Sequence, residues 1–178
     1  MAIAASGKDI LAVFFDDGAY QTLGCGANGV TCAFGSAQGV PVYAVCQSGA
    51  AMTADGARAF AKTLELAAVT GNPVVTFYQS AGAKLEEGQQ ILRSGAQLAA
   101  AVAKISGVVP QIAVVTGVCG GASAMLAANA DVCIMSGEGE LFLTAPFTSA
   151  AKGDKLEDAG SAACAQRAGV AALVVKNA

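Results

Sequence analysis

The sequence predicts an α/β fold in which a mainly parallel sheet is covered by helices. Apolar, strand-like runs alternate with stretches of helical periodicity along most of the 178 residues, a pattern that is typical of this class. A strand–turn–helix unit recurs from residues 73 and 111. No linker or low-complexity stretch interrupts the alternation, and the length suffices for a sizeable core. We therefore expect a single domain over 1–178.

The first third of the chain carries weaker signals than the rest. Its predicted elements are, in order, a loose arm over 1–9, an apolar segment over 10–15 with a turn signal at 16–18, and strands over 29–35 and 40–46. The short link between the two strands favours a hairpin.

The first long helix is predicted by both of its ends. Thr53 is a suitable N-cap, apolar residues follow it at helical spacing, and the sequence Gly-Asn-Pro at 71–73 stops the helix. The remaining predicted elements are strand 74–78, helix 87–106, strand 112–116, helix 121–129, strands 132–135 and 141–144, a loop over 145–154, helix 156–168 and strand 170–175. In helix 87–106, the spacing places Leu92 among the residues that face inward.

Composition and charge exclude several function classes. A net charge of −3 without a basic cluster argues against nucleic-acid binding, and no apolar run reaches the ~20 residues of a membrane span. A chain without histidine contains no Ser-His-Asp or Cys-His catalytic set. The six cysteines have neither C-x-x-C spacing nor histidine companions, so we expect no metal site and reduced, buried thiols in a cytoplasmic protein.

Two turns made of small residues are the candidates for chemistry. Each follows an apolar strand and precedes a predicted helix, whose start leaves backbone N–H groups without partners and carries a partial positive charge. Two converging N–H groups form an oxyanion hole. The predicted donors are Ala81 and Gly82 in the first turn and Gly121 and Ala122 in the second.

Structural alternatives remain open for these residues. The glycines also let helices pack closely on strands, and a dinucleotide site is disfavoured because G-x-G-x-x-G is absent. Lys84 is either solvated, like Glu86 and Glu87 beside it, or meets a phosphate or carboxylate. Cys119 and Cys164 are more consistent with inert thiols than with nucleophiles, because no base is near them in sequence.

Seven segments resemble, in the same order, the motifs of one family. They lie at 15–20, 39–43, 80–88, 107–112, 117–122, 141–146, and 156–161 with 169–171. The third is similar to S-G-G-A-R-[IM]-x-E-G and the fifth to G-x-C-x-G-G. The family is that of the carboxyltransferase subunits of biotin-dependent acyl-CoA carboxylases and decarboxylases, in its N-terminal half. The resemblance implies a crotonase-like spiral of ββα units.

The resemblance also implies a mechanism and partners. A carboxyl group would pass between carboxybiotin and an acyl-CoA through a thioester enolate, whose oxygen Gly121 and Ala122 would hold with Ala81 and Gly82 lining the site. Substrate contacts would come from Ser80, Ala83, Lys84 and Gly120. Biotin would arrive on a separate biotin carrier protein, and a second carboxyltransferase half-subunit would complete the site in a homo- or hetero-oligomer.

Departures from the family pattern keep other functions open. The arginine of S-G-G-A-R is Lys84 here, the paired glycines read Gly121 and Ala122, and a family histidine falls at Cys164. One alternative is therefore a non-catalytic scaffold subunit of such a complex. Another is a component of a malonyl-thioester decarboxylase, since the same hole would stabilise the enolate left by loss of CO₂.

Overall fold

The computed structural model describes residues 6–26, 29–80, 82–145 and 158–176. The helices are α1 (Gly7–Phe14), α2 (Ala54–Thr70), α3 (Gln89–Ile105), α4 (Ala122–Ala128) and α5 (Ala162–Arg167), with single 3₁₀ turns at Asp16–Gly18 and Leu85–Glu87. The strands are β1 (Tyr20–Gly26), β2 (Val30–Ala37), β3 (Val40–Gln47), β4 (Val74–Ser80), β5 (Gln111–Gly120), β6 (Val132–Ser136), β7 (Glu140–Phe142) and β8 (Leu173–Val175).

The strands form one twisted sheet whose spatial order follows the chain. The order is β1-β2-β3-β4-β5-β6-β8, with β7 paired to the far end of β5. β1, β2 and β3 pair antiparallel, and every pairing from β3 to β8 is parallel. The predicted hairpin and the predicted mainly parallel sheet are therefore confirmed.

The sheet buries a different set of side chains on each face. On one face, residues such as Val45, Val115 and Met135 pack with Phe60 of α2 and Leu98 of α3. On the other face, a smaller cluster forms around Leu11 of α1 and Phe77 of β4. Most helices thus cover one face of the sheet. The two turns follow the carboxyl ends of β4 and β5.

The ends of α2 form as the sequence predicts. The Thr53 side chain accepts a hydrogen bond from the Gly56 amide at 3.1 Å, and Gly71 ends the helix in the left-handed conformation with φ 72°. A residue without a Cβ adopts that conformation at little cost.

The predicted arm over 1–9 is wrong for the residues that the structure describes. Ser6 and Asp9 form a reciprocal capping box, and α1 begins at Gly7 and buries Leu11. The prediction for 1–5 lies outside the described residues. The signal that was overlooked is the Ser-x-x-Asp spacing before the apolar run.

Strand β1 was not predicted, and the prediction that Leu92 faces inward is wrong. β1 has the sequence YQTLGCG, whose glycines lower its strand propensity, and it forms by pairing with β2. Leu92 is 69% exposed, although Leu98 on the same helix is fully buried. Periodicity placed Leu92 at the margin of the apolar stripe, where it remains outside the contact between α3 and α2.

The last predicted helix is shorter in the structure. α5 begins at Ala162 after the N-cap Ser161, whose hydroxyl accepts from the Cys164 amide at 3.1 Å. The positions 156 and 157, and 146–154 of the predicted loop, lie outside the described residues.

Candidate active site

The second turn joins the end of β5 directly to the start of α4. Gly121 has φ 63° and ψ −132°, a conformation that favours glycine. Gly120 is buried, and a Cβ there would lie 2.8 Å from the ring of Phe142. The two glycines therefore allow β5, β7 and α4 to approach closely, as the structural alternative requires.

The amides of this turn are not all free. The Gly121 N–H donates to the Phe142 carbonyl at 2.9 Å, so this predicted donor is already engaged. Ala122, which is exposed, and Ser123 follow as the first two helical residues. No described residue accepts a hydrogen bond from either of their amides. The unpartnered donors thus lie one position beyond the predicted pair.

The first turn is built differently, because no α-helix begins directly at it. Of its predicted donors, Ala81 lies outside the described residues. Gly82, at φ 94°, donates its amide to the Ser80 hydroxyl at 3.2 Å. A 3₁₀ turn and Gly88 separate this turn from α3. The prediction of a helix rising from each turn is therefore right for the second turn and wrong for the first.

A buried hydrogen bond joins the two turns. The Ser123 hydroxyl donates to the Ser80 hydroxyl at 3.0 Å, and the two residues are only 1% and 2% exposed. Ser80 thus accepts from both Ser123 and Gly82. The turns lie side by side, and Ser80, predicted as a substrate contact, is instead covered and connects them.

The charged residues of the first turn have distinct surroundings. Lys84 is half-buried, and no carboxylate among the described residues lies within ion-pair distance of its ammonium group. Glu86 is exposed, as expected of a solvated residue. The Glu87 carboxylate instead accepts the amide of Ala54 at 2.6 Å. The expectation that Glu87 is merely solvated is therefore wrong.

The buried thiols lack the character of nucleophiles. Burial, with a smaller contribution from Cys133, raises the pKa of Cys119 to about 12, and burial raises that of Cys46 to about 12. Thiolates are scarce at neutral pH when the pKa is so high. Cys164 is half-buried at the start of α5.

The surface grooves lie away from the two turns, and the described ranges contain neither a metal-binding cluster nor a membrane-spanning helix. A groove of about 700 Å³ lies between α2 and α3, and one of about 330 Å³ between α3 and α4, and neither is lined by a turn residue. Within the described ranges, no three Cys, Asp or Glu side chains are grouped to hold a metal ion. None of the described helices has the length and apolar character needed to cross a membrane.

Two contributions to the site were missed in the sequence. Ser123 was not singled out, although a hydroxyl in the first turn of a helix built from small residues is a detectable signal. The contact of Glu87 with Ala54 spans 33 positions, and no local pattern predicts a pairing over that separation.

Comparison with known proteins identifies relatives over most of the chain. Residues 15–177 match the family described as the carboxyl transferase domain. The propionyl-CoA carboxylase beta chain of Rhodococcus erythropolis is 33% identical over 123 residues, which are 67% of this chain and 26% of that protein. The biotin-dependent acetyl-/propionyl-coenzyme A carboxylase beta6 subunit of Mycobacterium tuberculosis is 35% identical over 141 residues, 76% of this chain and 30% of that protein. The chain thus spans less than a third of the length of either relative.

Solved structures show the same fold. Transcarboxylase 12S, a hexamer solved with methylmalonyl-coenzyme A bound, aligns with a TM-score of 0.90 at 26% identity, over 97% of this chain and 38% of that one. A subunit of the Pseudomonas malonate decarboxylase MdcD-MdcE hetero-dimer aligns with a TM-score of 0.86 at 20% identity, over 96% of this chain and 79% of that one. The predicted crotonase-like fold is confirmed.

Proposed function

The chain belongs to the carboxyl transferase family, and on that premise we propose that it is the acyl-CoA-binding subunit of a biotin-dependent carboxyltransferase. It would act with a second carboxyltransferase half-subunit in an oligomer, and a separate biotin carrier protein would deliver the carboxyl group. The small residues of the second turn, together with the Ala122 amide that has no acceptor among the described residues, support this assignment to the acyl side.

The observation that carries the proposal is the exposed amide of Ala122 at the start of α4, which has no acceptor among the described residues. The Ala122 N–H lies at the positive end of the helix. Such a donor stabilises the negative oxygen of a thioester enolate and typically lowers the barrier by about 3 kcal/mol. The proposed donors are therefore Ala122 from the second turn and Ala81 from the first, whereas the Ser123 amide belongs to a residue that is only 1% exposed.

The other predicted site residues receive supporting roles in this proposal. Gly82, Gly120 and Gly121 shape the turns, since the amides of Gly82 and Gly121 are engaged. Ser80 positions both turns through its buried hydroxyl. Ala83 would line the site, and the ammonium of Lys84, which has no carboxylate partner among the described residues, would meet a CoA phosphate.

The residues of this chain fit the thioester rather than biotin. The turns offer backbone donors and small side chains, and the chain has no histidine to act as a base. Carboxylated biotin would supply the carboxyl group and a nitrogen that accepts a proton. This chain's part is then to bind the thioester, orient its α-carbon and hold the enolate oxygen, while the second half-subunit would hold biotin.

Removing one amide without disturbing the helix tests the proposal. Ala122 is the first helical residue, a position at which proline is well tolerated. Ala122→Pro deletes the N–H, and we expect kcat for carboxyl transfer to acetyl-CoA or propionyl-CoA to fall by about 10²–10³-fold in the complex with its partner subunit. Gln89→Pro, at the first position of α3, is the matched control. Full activity of a folded Ala122→Pro complex would favour a scaffold subunit.

A malonyl-thioester decarboxylase component is the second candidate. The Pseudomonas malonate decarboxylase subunit shares the fold over 96% of this chain. The same donors would hold the enolate left when the malonyl C–C bond breaks and CO₂ departs. Release of CO₂ from a malonyl thioester in the absence of biotin would favour this function.

A further inference from the structure

The first turn, which includes 82–84, and the 3₁₀ turn that follows it are joined to Met52 and to the first residue of α2. The Met52 amide donates to the Gly82 carbonyl at 2.8 Å, and the Lys84 amide donates to the Met52 carbonyl at 2.9 Å. The Glu87 carboxylate then accepts the Ala54 amide at 2.6 Å. Three hydrogen bonds therefore join 82–87 to 52–54.

Glu87 supplies a cap that α2 lacks within its own sequence. Thr53 satisfies the Gly56 amide, whereas the Ala54 amide, at the first helical position, has Glu87 as its acceptor. A carboxylate at a helix N-terminus gains from the helix dipole, and its hydrogen bond to an amide is charge-assisted. The contact is partly buried, so water competes with it less than at an exposed cap.

The neighbouring helix cannot replace this support. Gly88, at φ 53° and ψ −124°, breaks the path between the 3₁₀ turn and α3. The first turn therefore depends on the hydrogen bonds that 82–87 makes with Met52 and with Ala54 at the start of α2.

We propose that Glu87 is a positioning residue for the first turn, holding 82–84 against the N-terminus of α2 so that the turn keeps one geometry beside Ser123. The functional part of this inference rests on the proposed carboxyl transfer, whereas its structural part does not. Glu87 acts through the backbone and has no need to touch the acyl-CoA.

Amide hydrogen exchange in the intact chain tests the structural part. In Glu87→Ala, we expect exchange at Ala54, Met52 and Lys84 to become about tenfold faster relative to amides of β4. Glu87→Gln keeps an acceptor oxygen and should restore much of the protection. Glu86→Ala, an exposed neighbouring glutamate, is the matched control and should leave these rates unchanged.

Steady-state kinetics of the complex test the functional part. With acetyl-CoA or propionyl-CoA as substrate, Glu87→Ala should lower kcat about tenfold and also raise KM, because the displaced turn carries Ala83 and Lys84, which the proposed function places against the acyl-CoA. Glu87→Gln should recover most of kcat, and Glu86→Ala all of it.

The outcomes separate the two proposals. Unchanged exchange at all three amides in Glu87→Ala would overturn the positioning role, whatever the activity. If Glu87→Ala fails to fold, Ala54→Pro decides instead, because it deletes the amide that Glu87 accepts at a first helical position that tolerates proline; wild-type exchange at Met52 and Lys84 in that variant would overturn the positioning role. A wild-type complex without transfer activity would overturn the proposed function but not the exchange result.

Discussion

The two turns resemble each other in sequence but are supported in different ways. The second turn is held by its own surroundings, because β5 pairs with β7 on one side and continues into α4 on the other. The first turn is held by contacts from elsewhere in the chain: Met52, the start of α2 and the hydroxyl of Ser123. Similar strings of small residues therefore do not imply similar rigidity or the same free donors.

The largest expected loss of stability comes from removing the Ser80 hydroxyl, which makes hydrogen bonds to both turns. Ser80→Ala would leave the buried Ser123 hydroxyl and the Gly82 amide without their acceptor, and we expect the free energy of unfolding to fall by about 2 kcal/mol. Ser123→Ala removes a single bond, and we expect a loss of about 1 kcal/mol. Urea unfolding measures both.

The double variant sharpens this comparison. Since the two hydroxyls share one bond, Ser80→Ala/Ser123→Ala should lose less than the sum of the two single variants. Strict additivity would mean that the bond between Ser80 and Ser123 does not couple the turns in solution.

A smaller loss of stability is expected at the N-terminus of α2. Thr53→Ala removes the hydroxyl that accepts the Gly56 amide, and we expect the free energy of unfolding measured with urea to fall by about 1 kcal/mol. An unchanged urea midpoint would mean that this hydroxyl does not cap α2 in solution.

The smallest expected effect is on the pH dependence of stability and concerns the Asp16 carboxylate, which accepts hydrogen bonds from amides 22 and 23 positions away in the sequence. Asp16 accepts hydrogen bonds from the Gly39 amide, the Ser36 hydroxyl and the Gln38 amide, and these bonds, the one from Gly39 most of all, hold the pKa of its carboxyl below its ordinary value. The stabilisation is present above the unfolded-state pKa of about 3.9 and is lost as the pH falls through the lower folded-state pKa.

Acid titration of stability checks the role of Asp16. In Asp16→Asn, the unfolding midpoint should fall less than in the wild type as the pH is lowered below about 4. Equal slopes would mean that the Asp16 carboxylate does not contribute to the acid sensitivity of the fold.

The elements that could be predicted from the sequence are those that local pattern determines. The hairpin of β2 and β3, the ends of α2 and the parallel strands follow from alternation, caps and glycine stops. β1 could not be predicted because its glycine-rich sequence becomes a strand by pairing with β2. Leu92 was misplaced because periodicity alone does not give the width of the buried stripe.

The candidate site could be located from the sequence but not resolved into donors. Small residues after two strands indicated both turns. Whether an amide is free depends on long-range partners: Gly121 is engaged by Phe142, and Gly82 by Ser80 once the turn has formed. Glu87 is bound to a helix that begins at Ala54, and no spacing rule connects such positions.

The agreement between strand order and chain order has a consequence for how the protein is made. From β1 to β6 each strand is added beside the one before it, so none has to be inserted between two strands that are already paired. The sheet can therefore grow from one edge while the chain leaves the ribosome, because each of these strands pairs with one that has already been made. The first turn would then gain its contact with Ser123 only after β5 and α4 have left the ribosome.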